Sequence, residues 1–81
     1  MSVKRCIVRI LRDGRLDWPY ENAVVAGRVS GKGLHTEDFR TDDRGIATIE
    51  WYGGDYLDKI YVSGESFDVH FEDGGRYTIP Y

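Results

Sequence analysis

The sequence predicts an all-β domain, a seven-stranded antiparallel Greek-key β-sandwich, on three observations. Short runs of alternating apolar and polar residues recur along the 81 residues. Glycine-rich or acidic turn signals separate those runs at the spacing of an all-β domain. No window long enough for a stable helix shows the helical period. Short strands so spaced suit two packed sheets, and a small β-barrel is the competing architecture.

The first strand is KRCIVRIL (4–11), with Cys6, Val8 and Ile10 on one face, and RDGR closes it. After the connection LDWPYEN, AVVAGRVS (23–30) places Ala23, Val25, Gly27 and Val29 on one side. GKG breaks the chain, and the more polar LHTEDFRT (34–41) is expected to be an edge strand. The turn DDRG leads into IATIEW (46–51), where Ala47, Ile49 and Trp51 share a face. YGGDYL is expected to be a loop, and DKIYVS (58–63) a strand with Ile60 and Val62 opposite Tyr61. FDVHFE (67–72) alternates most cleanly, with Phe67, Val69 and Phe71 inside and Asp68, His70 and Glu72 outside. DGG turns the chain into RYTIPY, where Tyr77 and Ile79 align and Pro80 is expected to end the pairing.

A chain of this length is one domain and has few core positions to spare for polar work. With 41% hydrophobic and 31% charged residues it has the composition of a globular protein, neither disordered nor membrane-spanning. A formal net charge of -3 argues against nucleic acid, because phosphate binding needs clustered Lys and Arg. Arg5, Arg9, Arg12 and Arg15 concentrate positive charge near the N-terminus, which fits a solvated strand face followed by a turn. Cys6 is the single cysteine, so there is no internal disulfide and no thiolate cluster. Arg9 interrupts the first apolar run too early for a signal peptide, and a cytoplasmic location is the default expectation.

The stretch TDDRGIATIEW (41–51) gathers two aspartates, an arginine and a glycine ahead of an apolar alternation. Asp side chains bond backbone amides two residues on, and Gly45 can take a positive φ, so a tight turn is the direct reading. An EF-hand is excluded. With Gly45 at its glycine position, Arg40, Arg44 and Trp51 would fall at ligand positions. An irregular calcium site from Glu37, Asp38, Asp42 and Asp43 is the chemical alternative.

PYENAVV (19–25) is similar to the Pro-Val-x-Gly-Ala-x-Val signature of carboxypeptidase regulatory-like and transthyretin-like (prealbumin-type) modules. TDDRGIATI resembles the same modules' Thr-Asp-x-x-Gly-x-Ala-x-Ile, and VRILRDGR resembles their first strand and its Asp-Gly turn. Tyr20 and Asn22 stand where those modules carry Val and Gly. The resemblance implies a β-sandwich. It does not imply the group's 5-hydroxyisourate hydrolase activity, which uses histidines, an arginine and a C-terminal Tyr-Arg-Gly-Ser. This chain has only His35 and His70 and ends YTIPY.

Catalytic candidates fare poorly. Cys6 lies mid-strand on the inward face, where a free cysteine acts as a small hydrophobe. Ser63 and Ser66 flank a turn with no base nearby. His70 shares a face with Asp68 and Glu72, but alternate side chains lie ~7 Å apart along a strand, too far to close on one zinc ion. No catalytic residue, metal or cofactor is therefore expected.

The aromatics Trp18, Tyr20, Tyr52 and Tyr56 form the candidate binding surface. The expected partner is another protein or a second copy of the chain. A carbohydrate stacked on the rings is the alternative, and neither nucleic acid nor membrane is expected. If every strand crosses the sandwich, 12–22, the DDRG turn and the turn at 63–66 share one end. Residues 52–57, GKG and EDGG then share the other, so the aromatics divide into two surfaces.

Overall fold

The computed structural model describes residues 3–81. Seven strands follow in chain order: β1 (Lys4–Leu11), β2 (Val24–Val29), β3 (Phe39–Arg40), β4 (Ile46–Trp51), β5 (Tyr56–Val62), β6 (Glu65–Glu72) and β7 (Arg76–Pro80). A short 3-10 turn, Arg12–Gly14, follows β1. The strands form two sheets, ordered β4-β1-β7 and β3-β2-β5-β6. That two-sheet, all-β arrangement is compatible with a sandwich or a small barrel.

The expectation of purely antiparallel pairing is corrected, because the three-stranded sheet is mixed. β1 runs antiparallel to β4, with Cys6 opposite Ile49 and Val8 opposite Ala47. β7 runs parallel to β1 on its other side, with Val8 beside Tyr77 and Ile10 beside Ile79. Apolar alternation fixes which face a strand buries but carries no information about the direction of its neighbour. Pro80 ends the pairing as expected: it is the last residue of β7, opposite Leu11, and the Tyr81 N–H closes that bridge by donating to the Leu11 carbonyl at 2.8 Å.

The inward faces are those the alternation indicates. Cys6, Val8 and Ile10 meet Ala47, Ile49, Trp51 and Ile79 from one sheet, and Val25, Val29, Leu57, Ile60, Val62 and Phe71 from the other. Phe67 and Val69 face inward but remain half-buried, because β6 is an edge strand with nothing beyond it to complete their cover. Trp51 seals the base of the core, and its indole N–H donates to the Gly54 carbonyl at 3.0 Å.

Two elements depart from the alternation. Residues 34–41 do lie at a sheet edge, but only Phe39–Arg40 is strand. Upstream, His35 makes a single bridge to Arg28, and the Thr36 hydroxyl accepts the Gly27 N–H at 2.9 Å. Side-chain hydroxyls and short bridges replace a regular ladder where the sequence is polar. YGGDYL is not loop throughout: Tyr56 and Leu57 open β5, and Leu57 is fully buried.

The β5–β6 hairpin turns on Ser63 and Gly64, both at positive φ, as a two-residue hairpin requires. Among the described residues no helix is long and apolar enough to cross a membrane.

Candidate interaction surfaces

The connections fall at two ends, as counting strand crossings indicates. At one end the Tyr20 and Ser63 hydroxyls hydrogen-bond at 3.1 Å, and Gly45 lies against Pro19 and Tyr20. At the other, Gly54 abuts Val29 and Ser30, and Asp73 accepts the Arg5 N–H at 2.9 Å. Trp18 and Tyr20 therefore belong to one surface, and Tyr52 and Tyr56 to the opposite half of the molecule.

At the first end the chain leaves β1 and folds back on itself. The Arg12 N–H donates to the Trp18 carbonyl at 2.9 Å and the Trp18 N–H to the Arg15 carbonyl at 3.1 Å. The loop is bonded back on itself at Arg12, Arg15 and Trp18 and turns its side chains outward, leaving Leu16 76% and Trp18 45% exposed. Tyr20 is only half-exposed. It packs on the core margin, edge-on to Tyr81 with ring centroids 5.0 Å apart.

The Arg12 guanidinium stands 4.0 Å from the centre of the Tyr20 ring and 5.6 Å from that of Trp18. Arg15 reaches within 6.0 Å of the Trp18 ring and is tied to Asp17 at 3.1 Å. Each such cation–ring contact is worth about 0.5–1 kcal/mol at an exposed site, enough to hold the loop's shape. The sequence by itself singles out only the aromatics. In the sequence the arginines that organise them read only as charge, and Leu16, a lone leucine between Arg15 and Asp17, is the further signal of an exposed loop.

At the other end Tyr52 is 60% exposed and faces a cleft of about 390 Å³. Its lining includes Leu34, Phe39, Trp51, Glu37 and Glu50, where the 34–39 segment of one sheet passes the end of β4 in the other. Tyr56 does not join it. Its ring stacks on His70 with centroids 3.9 Å apart. Tyr52 and Tyr56 therefore make no shared platform.

Several titratable groups are occupied with structure. Burial, assisted by the nearby Asp73 charge, pushes the Cys6 thiol up to about 12, so it is protonated at neutral pH. Asp42 closes the TDDRG turn by accepting the Arg44 N–H at 2.8 Å and the Ile46 N–H at 3.0 Å. Those amides, Ile46 first, hold its carboxyl below the usual carboxylate range.

On the four-stranded sheet's outer face Arg28 pairs with Asp58 at 2.8 Å, and Lys59 pairs with Asp68. His35 leans on Tyr61, with ring centroids 5.1 Å apart. His70 meets Glu72 at 2.8 Å despite the strand repeat, because both side chains lean along β6. Among the described residues no three His, Cys, Asp or Glu side chains converge as a metal site. Glu37, Asp38, Asp42 and Asp43 are thus not gathered around a common centre.

Compared with known proteins, the chain matches no protein-family model and no curated relative.

Proposed function

We propose that this chain is a non-catalytic interaction module, a Greek-key β-sandwich of the transthyretin-like and carboxypeptidase regulatory-like kind, whose partner is another protein or a second copy. The two motifs behind that resemblance form one structural unit. The Thr41 hydroxyl accepts the Ala23 N–H at 2.8 Å and donates to the Tyr20 carbonyl at 2.6 Å. It thereby stitches PYENAVV to the head of TDDRGIATI. Cys6 is buried, Asp42 closes a turn, and Glu50, Asp58 and Asp68 sit in ion pairs, which favours binding over chemistry.

The observation that carries the interaction reading is the loop at 12–18. It exposes Leu16 and Trp18, is bonded back on itself at Arg12, Arg15 and Trp18, and is braced by arginine stacking. Trp and Arg are the residues on which protein interfaces concentrate their energy. A preformed loop also loses little freedom on binding. Sugar stacking is disfavoured at this end, since guanidinium groups already occupy a face of Tyr20 and lie over Trp18.

Sedimentation velocity over a concentration series, with and without candidate partners, tests the reading against a Trp18→Ser variant. Association weakened about tenfold or more by that change is expected. A strict monomer whose binding to every partner ignores Trp18 overturns it. The cleft beside Tyr52 favours a second reading, glycan binding, because it sets an exposed ring near Glu37 and Glu50. Chemical-shift titration with a glycan panel decides that case, and unmoved Tyr52 and Leu34 signals refute it.

A further inference from the structure

The outer face of the three-stranded sheet carries a charge pattern that neither aromatic end explains. Alternation along β1 turns Arg5, Ile7 and Arg9 to that face, and their register neighbours there are Glu50, Thr48 and Ile46 on β4. On the other side β7 places Arg76 beside Ile7 and Thr78 beside Arg9. Three arginines thus stand against one acid, in a chain whose formal net charge is -3.

The one acid is already engaged: Glu50 pairs with Arg5 at 2.9 Å. Arg9 and Arg76 have no ion-pair partner among the described residues. They border a shallow hollow of about 270 Å³ with Ile7 and Ile46 in its lining. The opposite outer face differs in kind: Arg28 and Lys59 are each matched to an aspartate, and Arg40, on the edge strand, reaches only the Asn22 carbonyl.

We propose that this face docks an acidic segment of a partner protein, with carboxylates on Arg9 and Arg76 and an apolar side chain between them over Ile7 and Ile46. Charge complementarity selects the occupant. Guanidinium groups bind carboxylates through two parallel hydrogen bonds, and the apolar floor favours a peptide over a bare polyanion. The proposal shares the interaction-module reading but not its surface, since the face lies apart from the loop at 12–18.

The test is a heteronuclear NMR titration of the labelled full chain with the acidic peptide EEELEEE at low salt. The expected result is shifts centred on Ile7, Arg9, Ile46, Arg76 and Thr78 that fade as salt is raised. The double variant Arg9→Gln/Arg76→Gln should weaken binding roughly fivefold, the effect of losing two exposed ion pairs. The charge-matched control Lys32→Gln/Arg40→Gln should not weaken it. Shifts that are absent, dispersed or unchanged in the double variant overturn the proposal. So does an oligothymidylate of equal charge that moves the same signals as strongly. Trp18→Ser should leave this titration unchanged, so failure of the aromatic-loop reading registers separately.

Discussion

Gly45→Ala probes how the TDDRG turn meets the first strand. Gly45 has φ +76°, a left-handed conformation that costs a residue with a Cβ about 1–2 kcal/mol. That Cβ would also stand 2.5 Å from the Ile10 carbonyl oxygen, 3.1 Å from the Pro19 Cβ and 3.2 Å from the Tyr20 nitrogen. The Ile10 carbonyl cannot swing away freely, because it accepts the Tyr20 N–H at 2.9 Å. The Ile10 N–H in turn donates to the Gly45 carbonyl at 2.8 Å.

Prising strand and turn apart strains both bonds, each worth about 0.5–1.5 kcal/mol net. The combined cost is about 2–5 kcal/mol, against a total stability of about 4–12 kcal/mol for a domain of this length. Thermal unfolding followed by circular dichroism should show a midpoint lowered by at least ~10 °C. Gly31→Ala is the control, since Gly31 has φ +72° but nothing within 4 Å of the added Cβ. Only the dihedral cost applies there. If Gly45→Ala destabilises no more than Gly31→Ala, the close approach to Ile10 contributes nothing and the reasoning fails.

Three further outcomes are expected. Thr41→Val should cost about 2–4 kcal/mol in urea unfolding, because it strips the Ala23 amide and the Tyr20 carbonyl of a buried partner; a neutral result would mean water replaces the hydroxyl. Asp42 has a depressed folded pKa, so its stabilising charge is fully present above the unfolded value near pH 4 and lost as pH falls through the folded value. The gap in urea midpoint between wild type and Asp42→Asn should therefore narrow from about pH 6 to about pH 3, and a constant gap would refute the assignment. Cys6, buried and with its thiol pushed up to about 12, should react with a thiol reagent at least ~10-fold more slowly in the folded than in the unfolded chain; equal rates would mean the thiol is not sealed.

Much of the architecture is written locally. The inward faces of β1, β2 and β4, and of β5 from Ile60 on, follow from the two-residue repeat, because a strand that buries one face must place its apolar residues at every second position. A bulge between Leu57 and Lys59 breaks that repeat at the start of β5. Gly45 and Asp42 announced their turn for the same local reason, one through its free φ and the other through a side chain that reaches its own backbone. Even the separation of Trp18 from Tyr52 follows from the parity of strand crossings. Polar content at 34–41 obscured how little regular strand forms there, and the glycine pair at 53–54 concealed the start of β5 at Tyr56.

What the chain's own pattern leaves undetermined is which strands become neighbours and in which direction. Tertiary packing set β7 parallel to β1, since nothing in an alternating run encodes its partner's polarity. The same choice set Arg76 beside Ile7, diagonal to Arg9, and made a basic face from residues at opposite ends of the sequence. Folding of the connection back onto the end of β1 lays Arg12 across Tyr20, turning a charged residue in a connection into the brace of an exposed aromatic loop. Periodicity is a property of neighbours in the chain, whereas these surfaces depend on neighbours in space, which are chosen only when the two sheets close over one core.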